Sequence, residues 1–299
     1  MTQPPRVQIV EVSPRDGLQA EARTLPTETK LELLDRLADA GHTAIEATSF
    51  VSPAAVPQLA DADELLKRLR RRPGVRYPVL VPNERGLERA IAAGADDIAV
   101  FVSASERYSQ RNLRRGRAEA LATACAVATL ARTRGLRVRG YVSMVIADPD
   151  DGPTDPHTVV TVGRTLLDAG CAEISLGDTI GAGTPAQVRL LLEAHRAGGI
   201  GLDRIAVHFH DTYGQGLSNV LTAIEQGVAV IDASVGGIGG SPFATHAGGN
   251  LATEDVVWML DGMGVATGLD VHRLASTSQW MAGQLGRELP GRAARALFR

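Results

Sequence analysis

The stretch VHFHDTYGQG at residues 207–216 sets two histidines on either side of one phenylalanine, with an aspartate directly after. Side chains two apart on a strand point to the same side, so His208 and His210 can converge on one point. A pair at this spacing fits a metal site and equally fits two ordinary histidines at a strand end. Two oxygen donors elsewhere in the chain extend the metal reading: Asp16 closes an early Val/Ile-rich run, and Asn250 follows the last such run. Two imidazoles, a carboxylate and an amide oxygen form a mixed set with room left for substrate oxygens. Such a set suits Mg²⁺ or Mn²⁺ and tolerates Zn²⁺ or Co²⁺. It assembles only if the fold brings residues 16, 208, 210 and 250 together.

The elements that would do so repeat regularly. Runs rich in Val, Ile and Ala occur at 7–13, 44–49, 77–82, 97–103, 137–146, 172–179, 204–210 and 230–237. Between them lie amphipathic stretches of helical length, such as TKLELLDRLADAG at 29–41, with Leu33, Leu34, Leu37 and Ala38 on one face. Several close on a glycine (DAGH, AAGAD, DAGC, EQGV) that can take the left-handed conformation ending a helix. Strand, helix and glycine repeated in this way predict parallel strands joined by right-handed crossovers, hence an α/β fold: a single (β/α)8 TIM barrel spanning 1–299. Residues 1–6 read as a disordered lead and 266–299 as peripheral C-terminal helices. A doubly wound open sheet is the alternative, but it normally carries a glycine-rich phosphate loop after the first strand, and none is found here. In a barrel the active site lies at the C-terminal ends of the strands. There the sequence places SPRDGLQ, EATSF, SLGDT, HFHD and GGIGGSPFATHAGGN, and closure sets the first strand near the seventh and eighth.

Composition excludes several partner classes. The 299 residues are 44% hydrophobic and 22% charged, and 31 Lys+Arg against 34 Asp+Glu leave a formal charge of −3, so no global basic field attracts nucleic acid. The cluster KRLRRR at 67–72 reads as a solvated helix face. No apolar run of about 18 residues appears, so no membrane span is expected. Cys125 and Cys171 are the two cysteines, and the chain reads as cytoplasmic and unbridged.

The segments VEVSPRDGLQAE, IEATSFVSPAAVPQLAD, YPVLVPN, EISLGDTIGAGTP, VHFHDTYGQGLSN and GNLATEDVVWMLDGMG together resemble the 3-hydroxy-3-methylglutaryl-CoA lyase family. Its members are metal-dependent (β/α)8 lyases and condensing enzymes that share an Arg-Asp pair after the first strand and a Glu after the second. The likeness covers about residues 7 to 265. It implies retro-Claisen cleavage of a 3-hydroxyacyl-CoA between C2 and C3, giving acetyl-CoA and a keto acid. By that resemblance Asp16, His208, His210 and Asn250 are the metal ligands, Arg15 stabilises the developing enolate, and Glu46 orients Arg15 and the groups around the metal. Gln19, Ser49, Ser175 and Thr179 match positions near the substrate acyl portion. Arg111 and Asn112, in the second basic cluster, match positions beside coenzyme A. A homodimer is expected by the same likeness.

Two departures from the family pattern bear on activity and substrate. Ser241 stands where the family carries a loop cysteine thought to move a proton. A serine hydroxyl titrates far above the roughly 8.5 of a thiol and does not replace that group at neutral pH without activation. His246 in the same loop, or a metal-bound water, is the expected substitute. After the fifth strand, SMVIADPDDG brings Asp148, Asp150 and Asp151, whose charge would disfavour a second substrate carboxylate. Alternatives therefore stay open: a lyase for citramalyl-CoA or isohexenylglutaryl-CoA, a Claisen-condensing synthase, and a non-catalytic binding barrel.

Overall fold

The Val/Ile-rich runs become strands buried on both faces, as parallel strands covered by helices require. In this computed structural model, which describes residues 4–240 and 249–298, they are β1 (Gln8–Glu11), β2 (Thr48–Ser49), β3 (Val79–Leu80), β4 (Asp97–Ser103) and β5 (Arg137–Ser143). A small antiparallel pair, β6 (Ala147–Asp148) and β7 (Gly152–Pro153), precedes β8 (Glu173–Asp178), β9 (Ile205–Phe209) and β10 (Val230–Ala233). Eight strands form one parallel sheet in the order β1-β10-β9-β8-β5-β4-β3-β2. Its two ends meet at a parallel bridge between Glu11 and Ile45, where Glu11 N–H donates to Ala44 O (3.1 Å) and Glu46 N–H to Glu11 O (2.8 Å). The sheet is therefore curled onto itself, and the first strand lies beside the last.

The helices are α1 (Thr27–Asp39), α2 (Ala62–Arg68), α3 (Glu84–Ala92), α4 (Glu106–Leu113), α5 (Arg117–Thr133), α6 (Pro156–Asp168), α7 (Pro185–Ala197), α8 (Gly216–Glu225), α9 (Thr253–Gly262), α10 (Val271–Leu285) and α11 (Arg292–Leu297). In α1 the predicted apolar face is buried through Leu33, Leu34 and Leu37, and it joins the core cluster that also holds Val79, Ile98, Val138 and Ile174 from the strands. Burial of each such side chain contributes roughly 1.5–3 kcal/mol. Gly41 closes the following turn at φ +104°, and a Cβ there would lie 2.4 Å from Gly268 O, so no other residue fits.

Three details differ from the sequence reading. The run at 137–146 does not continue as one strand: Met144 takes φ 58°, its N–H donates to Thr179 Oγ1 (3.0 Å), and the chain turns into β6 and β7. Pro5 and Arg6, placed in the loose lead, are paired, since Pro5 O accepts from Ala266 N–H (3.2 Å) and Val7 N–H donates to Ala266 O (3.0 Å). The C-terminal helices also do more than lie on the periphery. Leu274, Ala275, Met281, Leu289 and Ala294 are buried, and Asp255 accepts from the N–H groups of Arg292 (3.0 Å) and Ala293 (2.6 Å). Among the described residues no helix is long and apolar enough to cross a membrane, and both cysteines are free.

Candidate functional site

The chain after β1 makes a π-helical turn at Ser13–Gly17, every residue of which is buried. Gly17 allows it: a Cβ there would come within 3.1 Å of Ser234 Oγ and 3.2 Å of Ile238 O, so the turn can lie against the segment after β10. Arg15 and Asp16 are thereby presented at the carboxyl end of the sheet. His208 lies in β9, and His210 follows it and bridges to Asn250. Sheet closure thus brings together all four predicted metal ligands, although Asp16 lies 192 positions before His208 in the sequence.

Ligand atoms of Asp16, His208 and His210 lie within 4.8 Å of one another. The two Nε2 atoms face each other at 3.2 Å, and His208 Nε2 is 3.9 Å from Asp16 Oδ2. Asn250 donates from Nδ2 to Asp16 Oδ2 (2.8 Å) and to Ile238 O (3.1 Å), which leaves its carbonyl oxygen as the atom a cation would take. Two imidazole nitrogens, a carboxylate and an amide oxygen in so small a volume fit a divalent cation. Asp16 is suited to the role: burial opposes its charge, yet Arg15, His208, His210 and the Asn250 bond together hold the carboxyl below its ordinary value. For His208, burial disfavours the charged ring, but Asp232 and Asp16 outweigh it and raise its pKa.

Arg15 is the hub of a second cluster. Its Nε donates to Glu46 Oε2 and its Nη1 to Asp16 Oδ1, both at 2.7 Å. Burial opposes the guanidinium charge, but these carboxylates more than compensate and keep it firmly protonated. Glu46 is fully buried, its Oε1 has no hydrogen-bond partner among the described residues, and burial pushes its pKa up against the pull of Arg15. The Tyr141 ring lies under Arg15, 5.4 Å from the guanidinium carbon, and Arg139 sits 5.0 Å from the same ring.

The remaining predicted residues divide. Gln19 donates to Asp16 Oδ1 (2.9 Å), and Thr179, like Gln19, borders a cavity of about 370 Å³ together with Arg15, Asp16 and the two histidines. The cavity runs outward between α4 and α5, where Asn112 and Arg115 line it. Ser49 and Ser175 are fully buried and make internal bonds: Ser49 Oγ reaches Leu80 O (3.4 Å), and Ser175 Oγ donates to Asp232 Oδ2 (2.7 Å). Arg111 is half-exposed and turned to the β6–β7 loop, where it pairs with Asp150 and lies 4.0 Å from Asp148. Ser241 and His246 lie outside the described residues. The three aspartates after the fifth strand stand off the cavity lining and have partners of their own. Asp148 is buried and accepts from Ser105 Oγ and the N–H groups of Asp150 and Asp151, while Asp151 faces Arg107. Sequence reasoning missed Arg139, Tyr141 and Asp232. The available signal was a charged or phenolic residue inside runs otherwise fit for burial, RVRGYVS and VIDASVGG.

Comparison with known proteins gives a consistent result. The HMGL-like family model matches residues 6–281. The mitochondrial hydroxymethylglutaryl-CoA lyase of Arabidopsis thaliana is 48% identical over 99% of this chain, which spans 63% of that longer protein. The crystal structure of hydroxymethylglutaryl-CoA lyase from Pseudomonas aeruginosa superposes with a TM-score of 0.96 at 45% identity, covering 99% of both chains. An HMG-CoA lyase from Acenitobacter baumannii, solved with coenzyme A and 3-methylmalate, superposes with a TM-score of 0.94 at 35% identity, covering 98% of this chain and 95% of that one.

Proposed function

The chain belongs to the HMGL-like family, and from that premise we propose that it is a (β/α)8-barrel carbon–carbon lyase that cleaves 3-hydroxy-3-methylglutaryl-CoA to acetyl-CoA and acetoacetate. The observation that carries this reading is the convergence of Asp16, His208 and His210 beside the Arg15–Glu46 pair, all at one cavity. A binding module has no need of a cation site next to a fixed guanidinium.

The residues divide the work as follows. Asp16, His208, His210 and Asn250 would hold a divalent cation; the two oxygen donors suit Mg²⁺ or Mn²⁺, and the two imidazoles also admit Zn²⁺ or Co²⁺. When bound, it supplies the positive charge that lowers the pKa of the substrate's tertiary hydroxyl. Loss of the hydroxyl proton forms the C3 carbonyl as the C2–C3 bond breaks, and the electron pair passes to the thioester as an enolate. Arg15 meets that charge with N–H groups not used by the carboxylates. Glu46 and Asp16 keep the guanidinium from swinging, so it need not reorganise as the charge appears. The proton lost from the hydroxyl is balanced by the one delivered to C2, and we assign both transfers to His246, which yields acetyl-CoA. Gln19 and Thr179 border the acyl end of the cavity, and Asn112 and Arg115 the end that would take coenzyme A. None of Asp148, Asp150 and Asp151 lines the cavity, and Arg111 and Arg107 stand beside two of them, so the free carboxylate of the methylglutaryl group need not pack against them. We place the protein in the cytoplasm as a homodimer, readings that fractionation and sedimentation would check.

The test is acetyl-CoA release from the methylglutaryl thioester with Mg²⁺ or Mn²⁺, run beside citramalyl-CoA, on the wild type and on Ser241→Cys and His246→Ala. Turnover of the methylglutaryl thioester that chelation abolishes supports the reading. A wild type that cleaves only citramalyl-CoA, or neither, overturns it. An unchanged rate in His246→Ala removes that histidine from proton delivery.

A further inference from the structure

The interior of the sheet carries a buried polar chain that the lyase reaction does not use directly. Asp232, on β10, is ladder partner to His208 on β9 and is 1% exposed. Its Oδ1 accepts from Arg139 Nη2 (2.6 Å), its Oδ2 accepts from Ser175 Oγ (2.7 Å), and the same Oδ2 lies 3.4 Å from His208 Nδ1. Arg139 is fixed in turn by Tyr141 Oη (3.1 Å) and by Glu173, 3.3 Å from its Nε. Four adjacent strands, β5, β8, β9 and β10, thus combine to hold one carboxylate against the far side of one candidate ligand.

We propose that Asp232 is the positioning residue of the metal centre: it holds the proton of His208 on Nδ1, so that the Nε2 lone pair is turned toward Asp16 and His210, and Arg139 and Ser175 hold Asp232. A ligand imidazole must present a bare nitrogen to the cation, and the group bonded to its other nitrogen decides which one is bare. Nδ1 lies on the carboxylate side, 3.4 Å from Asp232 Oδ2 in an ion-pair approach that falls short of a formed hydrogen bond, and Nε2 lies on the side of His210. The two tethers serve a second purpose. Held by Arg139 and Ser175, Asp232 cannot rotate into the site and take a coordination position for itself.

The inference rests on the metal-centre reading above, and replacement of Asp232 by asparagine tests it. Arg139 has no acceptor, so the amide oxygen of the variant must face Arg139 and the amide NH₂ must face Ser175 and His208. His208 Nδ1 is then forced to accept, its proton moves to Nε2, and the nitrogen facing the cation is blocked. Mn²⁺ titration of the metal-free enzyme, followed by electron paramagnetic resonance, should give a dissociation constant raised roughly 10–100-fold in Asp232→Asn. A value within twofold of wild type in a folded variant overturns the proposal. A wild type that takes up no Mn²⁺ overturns the metal-centre reading itself. Should the variant not fold, ¹⁵N spectra of the histidine-labelled, metal-free wild type decide the matter at an alkaline pH where the ring is neutral. A His208 proton on Nδ1 is expected, and a proton on Nε2 overturns the assignment.

Discussion

Replacing Arg15 by lysine separates the catalytic use of this side chain from its use in holding the site together. The native guanidinium is 6% exposed and makes two bonds of 2.7 Å, from Nε to Glu46 and from Nη1 to Asp16. A methionine here would strand two carboxylates, one of them fully buried, at a cost of about 3–5 kcal/mol. Lysine keeps the positive charge between them. It places all its donors on one atom, however, and cannot span both partners while also reaching the substrate. One charge-assisted bond is lost, about 1.5–3 kcal/mol, which leaves a folded enzyme with a lowered melting temperature. The catalytic loss is larger in consequence. Removing a fixed donor from a developing oxyanion costs roughly 10²–10³ in kcat, or about 2.7–4 kcal/mol. Acetyl-CoA formation from the methylglutaryl thioester at saturating Mg²⁺ should show that fall in kcat with KM changed only a few-fold. A folded Arg15→Lys enzyme whose kcat stays within threefold of wild type refutes the role given to the guanidinium.

Other perturbations address stability and the coenzyme A end of the cavity. Burial pushes Glu254 from 4.5 up to about 7 against the bond from Gly236 N–H, and its Oε1 has no hydrogen-bond partner among the described residues. Its folded-state pKa is raised, so its stabilisation is full below about 4.5 and is lost as pH rises toward 7, by roughly 3 kcal/mol. Glu254→Gln should therefore raise the melting temperature at pH 8 but not at pH 4.5, and equal shifts at both would contradict this. Phe209 is 2% exposed and lies between the two histidines in the opposite orientation, within the main core; Phe209→Ala should cost about 3–5 kcal/mol in urea unfolding, and a cost below 1 kcal/mol would mean that this position is not packed as described. Asp150 pairs with the half-exposed Arg111. Freeing that cation in Asp150→Ala should lower KM for the thioester by up to about fivefold, the ceiling set by the 0.2–1 kcal/mol of an exposed pair. An unchanged KM removes Arg111 from coenzyme A binding.

What was legible in the sequence follows the physics of each signal. The parallel sheet was visible because strands buried on both faces must be written as continuous Val/Ile runs, and the helix ends because Gly41 and its counterparts have no substitute at positive φ. The candidate cation cluster was legible because His208 and His210 are two apart on a strand and because sheet closure had to return Asp16 to them. The bend at Met144 was not visible: a non-glycine residue in the left-handed region is held by tertiary bonds, here to Thr179 and Thr154, that no local pattern encodes. The serine positions were ambiguous for a related reason. A hydroxyl at a strand end reads alike whether it meets a ligand or an internal partner, and only the β8–β10 geometry shows Ser175 committed to Asp232.

The polar chain behind His208 was the least legible part, although it left a trace. A charged side chain inside a strand buried on both faces costs several kcal/mol unless paired, so Arg139, Glu173 and Asp232 each demanded a partner. The sequence shows three unmet demands on three strands and gives no way to match them. Only the register of β5, β8, β9 and β10 does so, placing Arg139 against Glu173, Asp232 against His208 and Tyr141 against Ser175 in successive ladders. A well-packed apolar interior of the same volume is often as stable as buried ion pairs or more so, so stability alone does not account for these polar side chains. What such an interior would lack is the carboxylate on the far side of His208, and with it the reason for that ring to turn Nε2 toward Asp16.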